Sequence, residues 1–135
     1  DHDGSLEREI RLPLPPVNVT EALKEAILKP IREQPAMKPR WAAFSERISF
    51  PDHTPGLDHF DVVDGKIIAR TYRYRGDAVE FVIFDLQGKE LKRLFLPHTG
   101  RLNNGRTFCF FNGRFYYLRE NIDEEAWELH CEKAW

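Results

Sequence analysis

From His59 onward the chain runs in short stretches of alternating apolar and polar residues, and most of these stretches end at a turn signal. "HFDVV" (59–63) alternates and meets Asp64-Gly65, a dipeptide that favours the tight type I′ hairpin. "KIIARTYRY" (66–74) runs to Arg75-Gly76-Asp77, and "AVEFVIFDL" (78–86), rich in β-branched and aromatic residues, runs to Gln87-Gly88. "ELKRLFLP" (90–97) closes on Pro97, which has no N–H to give a ladder. These four stretches predict antiparallel strands a, b, c and d. The pattern then restarts: "RTFCFF" (106–111), Asn112-Gly113, "RFYYLRE" (114–120) and "AWELHCEKAW" (126–135) predict a second a, b and c.

The two units align at an offset of 48 residues, from Asp64 to Asn112 and from Gly65 to Gly113. Without a gap, Phe60 falls on Phe108, Val62 on Phe110 and Ile67 on Phe115, and "AVEF" (78–81) falls on "AWEL" (126–129). A match extending this far beyond the turn is more than two hairpins resembling each other. A third partial copy opens the chain, because "DHDGSLEREIRLP" (1–13) matches "DLQGKELKRLFLP" (85–97), a c–d turn followed by strand d. The predicted order is therefore d, abcd, abc. Strand 5–13 lacks an abc of its own and 106–135 lacks a d, so each is expected to pair outside its own unit.

Residues 14–56 do not follow the repeat. "LPLPPVN" is Pro-rich and extended, and Thr20 is a candidate N-cap for a helix over 21–29, with Ala22, Leu23, Ala26 and Ile27 on one stripe. Pro30 is expected to end or kink that helix. "EQPAMKPRW" (33–41) reads as loop, "ERISF" (46–50) as a short edge strand and "PDHTPG" (51–56) as a turn-rich lead-in.

A repeat of about 40–50 residues made of four strands is the size of one propeller blade. On "DGKIIARTYRYRGDAVEFVIFDLQGKELKRLFLP" and "NGRFYYLRENIDEEAWELHCE", the chain resembles the C-terminal part of a six-bladed β-propeller of the NHL or TolB-like kind, about two blades long. It shows neither the Trp-Asp ending of WD40 blades nor the double Gly of kelch repeats. The resemblance implies a mainly β fold. Residues 1–13 would be the outer strand of a neighbouring blade, 14–56 a helical insertion, 57–97 a complete blade and 98–135 a final blade lacking its fourth strand. "FCFF" and "FYYL" place aromatic side chains on both faces of their strands, as a sheet covered on both sides requires. The expected partners are missing N-terminal blades or identical chains that complete the propeller. In the latter case three copies of two blades would close a ring. Propellers of this kind are commonly exported, which inclines the expectation towards the periplasm or secretion.

Composition narrows this picture only modestly. The chain has 135 residues, 41% hydrophobic and 31% charged, which is ordinary material for one folded domain. It does not open on Met and shows no leader, so it reads as a mature or truncated product. A net charge of −2 argues against a nucleic-acid footprint, and no apolar run approaches the ~18–20 residues of a membrane span. Cys109 and Cys131 fall on predicted strands a and c, which are not neighbours, so buried unpaired thiols are favoured over a disulfide.

Candidate chemistry is sparse. His53, Asp58, His59 and Asp61 cluster around the entry to strand a, and His53, His59 and Asp61 are the candidate metal ligands, imidazole and carboxylate suiting zinc or manganese. A polar turn plus one alternating strand explains the same residues, and that explanation is preferred. Arg75-Gly76-Asp77 matches an integrin-binding tripeptide but reads as a hairpin turn, Asn103-Asn104-Gly105 as a loop, and Asn18-Val19-Thr20 as a glycosylation pattern common by chance. "KEAILKPIREQPAMKPR" is mildly basic, and Asp123, Glu124 and Glu125 form an acidic turn; both read as solvated surface. No catalytic residue and no cofactor is assigned. The favoured function is a non-catalytic scaffold for a protein or ligand, its surface unassigned. The alternative is part of a channel-site hydrolase or lactonase-like enzyme with most catalytic residues in other blades.

Overall fold

The computed structural model describes residues 8–97, 108–121 and 123–135. The fold is mainly β, with antiparallel sheets. A small two-stranded sheet pairs β1 (Val17–Asn18) with β2 (His53–Thr54). A four-stranded meander follows, from β3 (His59–Val63) through β4 (Lys66–Arg75) and β5 (Ala78–Asp85) to β6 (Glu90–Pro97). A three-stranded meander joins β7 (Phe108–Phe111), β8 (Arg114–Asn121) and β9 (Ala126–Lys133).

The predicted hairpin turns form with the backbone they require. Asp64 and Gly65 take φ of 50° and 68°, and Asn112 and Gly113 take 49° and 73°. Two successive positive φ angles define the type I′ turn, whose twist matches that of the flanking strands. Strands a to d of the first unit correspond to β3–β6 and a to c of the second to β7–β9, each within a few residues of its expected bounds. The β4–β5 ladder is interrupted between Arg70 and Tyr74, where three residues of β4 oppose Glu80.

The two large sheets lie face to face, and their shared core is aromatic. The Phe81 ring lies 5.8 Å from Phe108, 5.3 Å from Phe110 and 5.9 Å from Phe115. Ile68, Val79, Ile83 and Leu96 complete this layer. Because side chains alternate along a strand, the neighbouring residues of β4 and β5 point the other way. Ile67, Ala69, Val82 and Phe84 form a second apolar layer on the outer face, covered by Ile10, Leu12, Leu14 and Leu57.

That cover corrects one expectation. Residues 8–13 are not in a strand; they run irregularly across the outer face, burying alternate apolar side chains there. β9, the edge to which a d strand would add, has only β8 as a neighbour among the described residues, so the segment has no ladder to join and follows its apolar side chains. Residues 1–7 lie outside the described residues. So do residues 98–107, which include Asn103-Asn104-Gly105 and the first two positions of the last expected strand a.

The 14–56 segment also differs in detail. α1 spans Glu21–Arg32 and continues through Pro30, where 21–29 was expected. Thr20 caps it, its hydroxyl accepting from the Leu23 N–H at 3.2 Å. Pro30 costs one backbone donor in the last turn, while Arg32 donates back to Glu25 at 3.2 Å and Glu33 N–H reaches Lys29 O at 3.0 Å, holding that turn closed. Leu23 is buried, and α1 lies against β4. Within the expected loop 33–41, a 3₁₀ turn forms at Lys38–Arg40 and leads into the short α2 (Trp41–Ser45). The edge strand expected at 46–50 is absent; Arg47 N–H and Ile48 N–H instead bond back to Phe44 O and Ser45 O, continuing the turn that ends α2. No helix among the described residues is long and apolar enough to cross a membrane.

Candidate functional site

Three places in the fold concentrate chemistry. The first is the entry to β3, where sequence reasoning put its metal candidates. His59 and Asp61 sit two apart on β3 and share the inner face, with His59 Nε2 3.4 Å from Asp61 Oδ2. The His59 Nε2 atom is buried and makes no hydrogen bond among the described residues. Asp58 is taken up by Arg70, whose Nε donates to Asp58 Oδ2 at 2.6 Å and whose guanidinium also lies 5.8 Å from the Phe108 ring centre. His53 is exposed on β2, paired with Asn18. Among the described residues, no three His, Cys, Asp or Glu side chains are grouped to hold a metal ion. The structure thus joins His59 with Asp61 and commits Asp58 to a cation.

The second place is a buried carboxylate. Glu80 lies opposite the β4 irregularity, accepting from the Thr71 hydroxyl at 2.9 Å and from Arg93 Nη1 at 3.0 Å. Arg93 also donates to Glu90 at 2.9 Å, and these pairs hold Glu90 below and Arg93 above their usual ranges. The same Thr71 hydroxyl accepts from Arg73 N–H at 3.1 Å, so the carboxylate organises the irregular stretch of β4. Its repeat counterpart, Glu128, accepts from Asn121 Nδ2 at 2.8 Å and contacts His130 at 2.9 Å. The Asn121 bond, and after it the one from His130, hold the Glu128 carboxyl below its usual range. The Glu shared by "AVEF" and "AWEL" was the sequence signal for this pair, and its role was not read from it.

The third place is apolar. On β7–β9 the residues alternate cleanly, and Phe110, Phe115 and Tyr117 face the other sheet. The opposite face presents Phe111, Leu118, Trp127 and Leu129, all exposed, around the half-buried Tyr116. Cys109 and Cys131 flank Tyr116 on this face, and both are free and exposed, correcting the expectation of buried thiols. They are exposed because nothing among the described residues covers the face on which their strands place them. Tyr117, on the packed side, has its phenol pushed up, chiefly by burial and then by the hydrogen bond it donates to Glu132 at 3.0 Å.

The basic stretch 24–40 lies in and after α1, where Lys24 pairs with Glu21 and Arg32 with Glu25. Arg75 ends β4 with its guanidinium 4.2 Å from the Phe95 ring centre, which ties up the Arg of the Arg-Gly-Asp tripeptide. Compared with family profiles, curated proteins and solved structures, the chain matches none.

Proposed function

We propose that this chain is a non-catalytic scaffold of the β-propeller type, whose exposed sheet face receives a protein or ligand. The observation that supports this reading is the open face of β7–β9, where Phe111, Trp127 and Leu129 stand exposed on a hydrogen-bonded sheet. Contiguous exposed apolar side chains on a rigid element mark interaction surfaces, since leaving them in water is unfavourable. The 48-residue repeat adds the blade reading, and with it partners that are further sheets of the same kind. The test places a photo-crosslinking amino acid at position 127 and, as a control, at position 47. The scaffold reading expects an adduct of fixed stoichiometry at 127, absent at 47 and lost on Leu129→Lys. No adduct at 127, or equal adducts at both positions, would refute it.

The buried Nε2 of His59, which lies 3.4 Å from Asp61 Oδ2 and makes no hydrogen bond among the described residues, favours a second reading, a lactonase-like hydrolase. Divalent-metal-dependent turnover of a lactone or ester panel, abolished by His59→Ala and by Asp61→Asn, would establish that reading in place of the scaffold.

A further inference from the structure

The 48-residue repeat relates the buried interface between the two sheets to the surfaces that remain open. Val63, Ile68, Val79, Phe81 and Ile83 are among the residues with which the four-stranded sheet meets the three-stranded one. Their repeat counterparts are Phe111, Tyr116, Trp127, Leu129 and Cys131, the open face of β7–β9. Val79 is 1% exposed where Trp127 is 50%, and Phe81 is 2% where Leu129 is 69%. The other side of the interface behaves alike. Phe108 and Phe110 pack into it, and their counterparts Phe60 and Val62 stand exposed at the β3 edge of the outer face of β3–β6, with Phe110 at 6% against Val62 at 59%.

The N-terminal segment fits the same relation. Leu94 and Leu96 of β6 pack into the layer that holds Phe115 and Tyr117. Their copies near the chain start, Ile10 and Leu12, pack on Ile67 and Ala69, which are the repeat counterparts of Phe115 and Tyr117. Residues 8–14 therefore already occupy the place on the outer face that the fourth strand of a preceding sheet would take. β9 is the edge strand of a three-stranded sheet, in the position where a fourth would add.

We infer that the chain binds a second copy of itself head to tail: the open face of β7–β9 in one copy seats on Phe60 and Val62 of the next. The β9 edge then lies beside residues 8–13 of that next copy. The packing repeats the strand arrangement of the contact between the two sheets within one chain, with apolar side chains of different shape at most of the equivalent positions. A back-to-back pair of β7–β9 faces would cover Trp127 and Leu129 but leave Phe60 and Val62 in water and residues 8–13 without a strand partner. The head-to-tail arrangement covers all of them, and its two surfaces differ, so it can propagate or close into a ring. It deepens the scaffold reading by naming the partner of the same face.

Leu129→Lys blocks one surface and Val62→Lys the other, both at exposed positions, with matched melting temperatures as the check on folding. In light scattering across concentration, the wild-type chain is expected to assemble and each variant alone to stay monomeric. The two variants mixed are expected to form a one-to-one dimer and nothing larger, because each retains the surface the other lacks. In the wild type, labelling of Cys131 by a thiol reagent should slow about fourfold when the total chain concentration is about ten times the dissociation constant, since about a quarter of the faces then remain free. In Leu129→Lys it should not change with concentration. A wild-type chain that remains monomeric at every concentration overturns the inference, as does a Val62→Lys variant that dimerises alone. If the monomer still forms the specific adduct at position 127, self-association fails while the scaffold reading stands; if that adduct is also missing, both fail.

Discussion

Phe81 and Phe84 lie three residues apart on β5, both buried, with side chains on opposite faces of one sheet. Phe81 belongs to the layer between the two large sheets and Phe84 to the layer under the N-terminal segment. Phe→Ala in a packed core costs about 3–5 kcal/mol through lost transfer energy and the cavity left behind. Phe81 in addition meets three rings across the sheet interface at 5.3–5.9 Å, and aromatic pairs add about 0.5–1.5 kcal/mol each, less than additively in a cluster. Phe81→Ala is therefore placed near 5 kcal/mol and Phe84→Ala near 3–4 kcal/mol, against a total stability of about 5–15 kcal/mol. At a urea slope of about 2 kcal/mol per molar, the Phe81→Ala midpoint falls by about 2.5 M. Leucine at each position, costing about 1–2 kcal/mol, keeps a measurable folded state if alanine does not. Hydrogen exchange locates the damage. Phe81 variants should lose protection across β7–β9, whereas Phe84 variants should lose it in β4–β6 and around residues 10–14 and spare β7–β9. If Phe84→Leu exposes β7–β9 as much as Phe81→Leu does, the two-layer account of the core is wrong.

Three further outcomes follow from the geometry. Gly88 has φ of +84°, and a Cβ there would lie 3.0 Å from the Arg11 carbonyl oxygen; Gly88→Ala should cost about 1–2 kcal/mol in urea unfolding, with protection at residues 10–12 lost first. Glu80→Ala leaves the buried Thr71 hydroxyl without its acceptor and the exposed Arg93 with Glu90 alone, and should cost about 1–2 kcal/mol, with Glu80→Gln closer to wild type; an alanine variant as stable as wild type would show that the carboxylate does not hold the β4 irregularity. Glu128 has a depressed pKa, so its contribution is present above its unfolded value of about 4.3 and is lost as pH falls through the lower folded value. Thermal melts of Glu128→Gln should therefore lie below wild type at neutral pH and converge with it on acidification, and a gap that persists at the acid end would contradict the assignment.

The strands and their hairpins were legible because their signals are local. Asp64-Gly65 and Asn112-Gly113 set the turn backbone themselves, and an alternation of period two needs only neighbours in the chain. The repeat was legible for the same reason. The polar sites were legible only in part. His59 and Asp61 stood among the candidate ligands together with His53, but the commitment of Asp58 to Arg70 and the grip of Arg93 and Thr71 on Glu80 join residues from different elements. The register of those strands is printed nowhere in composition.

By itself the sequence determined the strands and hairpin turns of the two repeat units and that one unit is built like the next. The tertiary structure alone decided which face of each strand is covered. Cys131 and Ile83 occupy equivalent positions in equivalent strands, yet one is exposed and the other fully buried. Residues 8–13 carry the pattern of β6 and form no strand, because they have an apolar face to lie on but no edge to pair with. Alternation specifies two faces for a strand; burial depends on what the rest of the chain brings against them, and that information is long-range.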